Sequence, residues 1–254
     1  MGNIKLSKIN EHIYCMDDAG DASGYIVIGS EKAFVIDTMN GRESIFSIVR
    51  SVTDLPLYVI NTHGHPDHIF GNVEFDAAYM NLKDLSVAYK CVAFNESFLE
   101  NCDKYGVSMT KFLPIKQGDT FNLGGLTLEI IDIPGHTPGS VLVLLKEDRV
   151  LFTGDAINRH LWMQLDDSLP SKEVLANLKD IAYIKEKADY ILHGHNTTYD
   201  PISLYDDLVE CIENLIATDG AGDSVYEYFG NTAKIHVLEE KNVSVVYTDE
   251  LLHA

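Results

Sequence analysis

The stretch that decides the fold is Leu57-Tyr-Val-Ile-Asn-Thr-His-Gly-His-Pro-Asp-His68, in which an apolar run leads directly into three histidines and an aspartate. Residues 57–62 are apolar almost throughout and follow Pro56, a pattern that predicts a short buried strand. The polar cluster therefore stands at the carboxyl end of a strand, where α/β folds usually carry their chemistry.

The spacing inside this cluster indicates metal binding. His63 and His65 are two residues apart, so an extended or turning segment directs both rings to one side. Pro66 fixes the next φ, which turns Asp67 and His68 towards another side. Without a ligand, three imidazoles and a carboxylate would lose solvation for no gain. The pattern therefore suits two neighbouring metal ions better than one.

Three later segments carry more residues of metal-ligand type: Gly135-His-Thr-Pro-Gly-Ser140, Phe152-Thr-Gly-Asp155 and Leu192-His-Gly-His195. Together with the first cluster, they resemble the signature of the metallo-β-lactamase fold superfamily. The resemblance covers residues 63–195 and implies an α/β fold, the four-layer αββα sandwich of two mixed β-sheets flanked by helices. The length of 254 residues fits a single domain over residues 1–254, with a C-terminal helix and β-hairpin at residues 201–254.

The resemblance also implies two groups of metal ligands that share one aspartate. The ligands of the first ion are His63, His65 and His136. The ligands of the second ion are Asp67, His68 and His195, and Asp155 bridges both ions. Imidazole and carboxylate ligands without a thiolate predict two Zn²⁺ ions per chain, with Fe or Mn as alternatives.

Two histidines compete for the last ligand position. His193 and His195 alternate to the same face of a predicted strand, so spacing does not separate them. The terminal ligand of the family follows a glycine, and Gly194 precedes His195. We therefore assign His195 as the ligand and expect His193 to be buried or to support it.

The ligand set implies hydrolysis by a hydroxide that bridges two ions, while one ion stabilises the oxyanion. Asp67, which orients the hydroxide, and Asp155, which holds the ions, are the expected catalytic residues. β-Lactamases with a mixed site carry a cysteine where Asp155 stands, so this residue favours the thioesterase, lactonase and phosphodiesterase-type members. We expect an ester, thioester, lactone or related carbonyl substrate. The alternatives are an oxidoreductase like the mononuclear iron persulfide dioxygenases, and a phosphodiesterase or β-lactam hydrolase.

The amino-acid composition limits the class of partner that this protein is expected to bind. The net charge of −20 and the lack of a basic run argue against nucleic acid or an anionic membrane as partner. The first residues contain no apolar run of signal-peptide length, and the four cysteines show no CxxC spacing. We expect a cytoplasmic protein with reduced thiols that acts on a small-molecule substrate, with a homodimer as an open alternative to a monomer.

Several residues outside the ligand set are also candidates. Asp37 ends a predicted strand, and the resemblance implies that it supports the metal-binding loop through hydrogen bonds. Residues 156–171 read as a loop beside the site, so His160 and Trp162 are expected either to form a pocket wall or to pack at the core edge.

Two helices are predicted around the site. Residues 82–101 have helical composition, and Phe94, Phe98 and Tyr105 are expected either to line a substrate entrance or to pack against the sheet. Residues 172–187 carry apolar side chains at helical spacing, which predicts one amphipathic helix.

Overall fold

A computed structural model describes residues 4–92, 99–100, 102–103, 106 and 110–254. Within these ranges the first sheet has seven strands, β1 to β7, which are ordered as in the sequence. Their bounds are Ile4–Lys8, Ile13–Asp18, Ser23–Ile28, Ala33–Ile36, Leu57–Ile60, Ala77–Met80 and Lys111–Pro114. Strands β4 to β7 run parallel, and β1 to β4 are antiparallel.

The second sheet contains six strands in the order β14-β13-β11-β10-β9-β8. Their bounds, from β8 to β11 and then β13 and β14, are Thr120–Asn122, Thr127–Asp132, Val141–Leu145, Val150–Gly154, Tyr190–His193 and Asp200–Pro201. A third sheet has the order β12-β17-β16-β15. The bounds of β12, β15, β16 and β17 are His160–Met163, Ser224–Tyr228, Asn231–Leu238 and Val243–Tyr247.

Seven α-helices whose bounds lie wholly within the described residues accompany these sheets, besides helical residues at 99–100 and 102–103. From α1 to α7 they are Ile45–Arg50, Pro66–Ile69, Leu85–Val92, Ser171–Asp180, Ile184–Lys187, Leu204–Thr218 and Asp249–His253. The single helix expected over residues 172–187 is wrong, because a turn separates α4 from α5. The amide of Ile184 donates to the carbonyl of Ile181, three residues back, so the α-helical pattern stops there.

Buried side chains divide the molecule into layers. One cluster lies between the first two sheets, where the rings of Tyr25 and Phe152 approach to 5.2 Å between centroids. The outer face of the first sheet packs against Ile45 and Val49 of α1. The outer face of the second sheet packs against α4 and α6. The structure therefore confirms the αββα sandwich.

The third sheet is an addition that we did not predict. Residues 156–171 were expected to form a loop, but His160–Met163 forms β12, which pairs in parallel with β17. Along β12, Leu161 and Met163 are fully buried, while His160 and Trp162 on the other face are not. In the region of the predicted C-terminal helix and hairpin the structure has α6 and the β16–β17 pair, and β15 extends the sheet.

The expected substrate entrance lies outside the described residues, because Phe94, Phe98 and Tyr105 fall in the gaps. The described part of the predicted helix over residues 82–101 begins as a 3₁₀ turn and continues as α3. None of the helices in the described ranges has the length and apolar character needed to cross a bilayer.

Candidate metal centre

The first ligand group consists of three histidines whose ring nitrogens converge. Nδ1 of His65 lies 3.0 Å from Nε2 of His63 and 2.9 Å from Nε2 of His136. All three residues are buried. His63 and His65 leave the carboxyl end of β5, whereas His136 stands in the turn between β9 and β10. The two main sheets therefore meet at this group.

Hydrogen bonds on the far side of two rings fix which nitrogens are bare. Nδ1 of His136 lies 2.7 Å from the carbonyl oxygen of Trp162, which only accepts, so this nitrogen carries the proton. Thr62 Oγ1 donates to Asp37, and it therefore accepts from Nδ1 of His63 at 3.1 Å. Consequently, Nε2 of His63 and Nε2 of His136 direct lone pairs to the same place.

Burial favours the neutral form of His63 and His65. It lowers the pKa of His63 well below its usual value, and the neighbouring histidines lower it further. Burial and then His136 act on His65 in the same direction. Neutral imidazoles with converging lone pairs are the donors that Zn²⁺ and similar ions prefer.

The second group combines two carboxylates with two histidines, Asp67, His68, Asp155 and His195. The Oδ2 atom of Asp67 lies 3.6 Å from Nε2 of His68 and 3.7 Å from Nε2 of His195. One potential ligand atom from each member lies within 4.8 Å of the others. This spacing allows all four side chains to bind one ion.

Asp155 connects the two groups. Its Oδ2 atom lies 3.1 Å from Nε2 of His195, 3.6 Å from Nε2 of His68 and 3.7 Å from Nε2 of His136. Gly194 permits this approach, because a Cβ atom at that position would lie 2.5 Å from Oδ1 of Asp155. Asp155 thus lies between the two groups.

Opposite charges compensate within the second group. Burial raises the pKa of Asp155, but the charges of His195 and His68 outweigh it and hold the pKa well below its usual value. Asp155 in turn raises the pKa of His195 to about 9. Burial disfavours the charged form of His68, yet the carboxylates of Asp67, Asp37 and Asp155 raise its pKa well above its usual value.

Two buried polar atoms that lack a hydrogen-bond partner among the described residues test whether this site suits a metal ion. Nε2 of His68 and Oδ1 of Asp155 are buried, and the described part of the chain offers neither a hydrogen-bond partner. Such atoms carry a cost of desolvation that a bound cation removes. Nδ1 of His68 faces Oδ2 of Asp37 at 2.8 Å, a carboxylate–histidine pair of the kind that orients metal ligands. The residues of the second group therefore fit a bound cation.

A comparison with protein families agrees with this geometry. The family model described as "Metallo-beta-lactamase superfamily" matches residues 17–195, more than half of the chain. The chain belongs to this superfamily. A metallo-beta-lactamase from Pontibacter korlensis matches with a TM-score of 0.62, 18% identity, and coverage of 83% of this chain and 99% of that one. At this identity the likeness shows the fold alone.

Hydrolases of the superfamily are among the related sequences. The acyl-coenzyme A thioesterase MBLAC2 of Bos taurus is 26% identical over 223 residues, which cover 75% of this chain and 78% of the relative. The hydroxyacylglutathione hydrolase GloC of Haemophilus influenzae is 29% identical over 133 residues, 50% of this chain and 62% of the relative. The match to GloC thus covers less than two thirds of its length.

Asp37 supports the metallo-β-lactamase site as expected. Its Oδ1 atom accepts from the amide of Thr62 at 2.8 Å, and its Oδ2 atom accepts from Thr62 Oγ1 at 2.7 Å. The same Oδ2 atom also faces His68. One carboxylate therefore holds the strand end that precedes the first group and a ring of the second group.

Asp84 is a supporting residue that sequence reasoning missed. It is fully buried, and its carboxylate accepts from the amide of Gly64 at 2.9 Å and from Thr137 Oγ1 at 2.7 Å. The amide of Gly139 also donates to it. Burial raises the pKa of Asp84, while these three hydrogen bonds oppose the rise. Asp84 therefore ties the His63–His65 turn to the turn that carries His136.

The structure places the two competing histidines differently. His195 lies in the second group, whereas Nε2 of His193 lies 3.4 Å from Oδ2 of Asp200. The ring of His193 is buried, and its Nδ1 atom accepts from the amide of His195 at 3.2 Å. His193 thus supports the turn that carries His195.

The two groups lie at the floor of a cavity of about 1070 Å³. The ligand residues that line it are His65, Asp67, His136, Asp155 and His195. His160 and Trp162 line the same cavity, which confirms the predicted pocket wall, although a strand and not a loop presents them. A cavity of this size accommodates a small-molecule substrate.

Proposed function

We propose that this protein is a two-metal hydrolase that cleaves ester or thioester bonds of a small-molecule substrate. The observation that carries the proposal is the position of Asp155 Oδ2, within 3.7 Å of a nitrogen from each ligand group. Two ligand groups joined by one carboxylate, at the floor of an open cavity, favour two ions that act on one substrate.

Each residue has a role in this proposal. His63, His65 and His136 would hold one ion, and Asp67, His68 and His195 would hold the other. Asp155 would touch both ions, and its single negative charge would keep them close together. When bound, the two ions supply a nucleophilic hydroxide and a Lewis acid for the substrate carbonyl; Zn²⁺ fits the donors, with Fe or Mn as alternatives.

The position of Asp67 suits a role in orienting the nucleophile. Its side chain is 29% exposed, more than that of Asp155 at 12%, and it lines the cavity. A partly exposed carboxylate beside the reacting atoms can orient a nucleophile through its free oxygen. We therefore assign Asp67 to orientation of the nucleophile and Asp155 to the spacing of the ions.

The proposed substrate class rests on the related proteins. MBLAC2 is named as an acyl-coenzyme A thioesterase and GloC as a hydroxyacylglutathione hydrolase. Both names describe hydrolysis of a thioester. The net charge of −20 argues further for a small molecule and against nucleic acid as partner. A cytoplasmic location and a homodimer stay predictions.

The test uses chelated and reconstituted protein on matched substrates. Purified protein is assayed on thioester, oxygen-ester, lactone, β-lactam and phosphodiester substrates, before chelation, after it, and after Zn²⁺, Fe²⁺ or Mn²⁺ is returned. We expect hydrolysis of thioesters and esters, loss of at least ~10²-fold on chelation, and recovery with metal.

Two outcomes would replace the proposal. One tightly held iron per chain, with oxygen consumption on a persulfide and no ester hydrolysis, would make the protein a dioxygenase. Faster cleavage of phosphodiesters or β-lactams than of thioesters would keep the metal site but change the substrate class.

A further inference from the structure

The third sheet brings an aromatic side chain next to the first ligand group. On β12, Leu161 and Met163 enter the core, so His160 and Trp162 face the other way, into the cavity. The carbonyl of Trp162 accepts from Nδ1 of His136 at 2.7 Å. The indole therefore belongs to the residue whose backbone positions a proposed metal ligand.

The β15–β16 hairpin extends this aromatic surface. The ring centroid of Trp162 lies 5.7 Å from that of Phe229, 5.9 Å from that of Tyr228 and 6.2 Å from that of Tyr226. Phe229 and Trp162 both line the cavity, and so does Leu165 in the loop after β12. We call Trp162, Leu165 and Phe229 the apolar wall.

Phe229 occupies a backbone position that disfavours a bulky side chain. It is 86% exposed, and it forms with Gly230 the two-residue turn between β15 and β16. Both have positive φ, +44° and +80°, which is typical of a type I′ turn. That turn favours Asn, Asp or Gly at its first central position, and a bulky residue there is strained. Exposure and strain together indicate that the ring serves something other than the fold.

The rest of the lining is mostly polar and comes from other parts of the chain. The loops of the two main sheets contribute Asp21, Asn40, Arg42, Asn196 and Thr198. Apolar surface that adjoins a catalytic floor binds an apolar substrate group by removing both from water. The cavity thus has an apolar region on the third sheet, beside the polar His160 of β12, and a polar region formed by the loops.

We propose that the apolar wall binds the acyl group of the substrate and selects esters and thioesters with extended apolar acyl chains. This inference rests on the proposed hydrolysis, because it names the substrate class of that site. Trp162 and Phe229 are specificity residues, and they do not touch the reacting atoms. Longer acyl chains cover more of the wall, and each fully buried methylene group corresponds to about 4-fold in affinity.

The first experiment measures hydrolysis of acetyl, butyryl, hexanoyl and octanoyl thioesters by the metal-loaded protein. We expect kcat/KM to rise at least ~10-fold from butyryl to octanoyl. In Phe229→Asn, KM for the octanoyl thioester should rise ~10-fold while kcat stays within ~3-fold, because uniform binding is lost. Acetyl thioester, which covers the least of the wall, should show the smallest change.

Phe229→Asn also separates function from folding. Asn suits the turn better than Phe, so thermal unfolding should show equal or higher stability in this variant. Val225→Thr is the matched control: Val225 lies on the same hairpin, is 71% exposed, and stands outside the cavity lining of the described residues. This control should keep the acyl-chain dependence of the wild-type protein.

A second readout does not need hydrolysis. Trp162 is the only tryptophan of the chain, so its fluorescence reports directly on the wall. Octanoate should shift the emission of the metal-loaded protein to shorter wavelength, whereas acetate, with the same carboxylate, should not. The octanoate effect should weaken at least ~5-fold in apparent affinity in Phe229→Asn.

The outcomes are distinct. Equal kcat/KM for all four thioesters would overturn the acyl-binding wall and leave the proposed hydrolysis intact. A protein that hydrolyses no ester but still shows the chain-length-dependent fluorescence shift would keep the apolar binding site and refute the hydrolysis. If Phe229→Asn instead dissociates a dimer in sedimentation and leaves the acyl-chain dependence unchanged, the wall is a self-association surface and the inference is wrong.

Discussion

The two ligand groups differ in the electrostatic environment that each would offer to a metal ion. The first group contains only imidazoles, and burial keeps those of His63 and His65 neutral. The second group opposes two carboxylates to two histidines, and these charges compensate each other when no ion is bound. In the first group, a cation would bind to the lone pairs of the imidazole rings. In the second group, a cation would compete with the protons on His68 and His195.

Exposure differs in the same way. The side chains of Asp67 and His195 in the second group are 29% and 36% exposed, whereas the three histidines of the first group are at most 9% exposed. The first group is thus largely closed to solvent, whereas the second group is more accessible to water and substrate. Asp155 of the second group also lies 3.7 Å from Nε2 of His136 in the first group.

The largest expected effect comes from removing the charge of Asp155. Asp155→Asn keeps the size, but an amide oxygen bridges two cations poorly. We expect kcat on a thioester to fall by at least ~10²-fold, as for loss of a key electrostatic contact. Steady-state kinetics with metal counted on the same sample measures this. Both ions bound with near-normal turnover would show that the two groups work without a bridge.

A smaller effect is expected at Asp84, which supports the first group. In Asp84→Asn, the amide nitrogen cannot accept from the backbone and hydroxyl donors that now face the carboxylate. Leaving one of these buried donors unpaired should lower the free energy of unfolding by about 1–3 kcal/mol. Displacement of His63 or His136 should lower kcat by ~10–10²-fold.

Denaturant titration and steady-state kinetics test Asp84. A variant as stable and as active as the wild-type protein would mean that the two turns hold the first group without it. Loss of stability with unchanged kcat would restrict Asp84 to a folding role.

The smallest effect is expected at Asp37, which supports the second group through His68. Asp37→Asn keeps an acceptor but loses the charge that orients the ring. We expect kcat to fall by ~10-fold, with the metal of the second group bound ~10–10²-fold more weakly. Chelator competition that ranks the two ions checks this. If only the metal of the first group were bound more weakly, Asp37 would support the first group and not the second.

The grouping of the candidate ligand residues could be anticipated because their pattern is local. Four of the seven stand within residues 63–68, and each of the others sits in a short segment with its own glycine. The sandwich followed from apolar segments with turn residues between them. Asp155 could be placed beside the ligands for the same reason, since it ends the strand β11 directly.

Asp84 and the third sheet could not be predicted because their partners are distant in sequence. Asp84 binds groups 20 to 55 residues away, and nothing in its own neighbourhood marks it as buried. Strand β12 has four residues and alternates in burial, and it is completed only by β17, whose Ser244 stands 84 residues after His160. Such short strands depend on tertiary pairing more than on propensity.

Metal content tests the two-group arrangement most directly. Elemental analysis of four reconstituted proteins should give about two ions per chain for the wild type and for His193→Ala, and about one for His136→Ala and for His195→Ala. His193→Ala is the matched control, because His193 belongs to neither group: its Nε2 atom faces Asp200, and among the described residues its Nδ1 atom accepts only from the backbone amide of His195. One ion in the wild type, or equal metal content in His193→Ala and His195→Ala, would contradict the two groups as assigned.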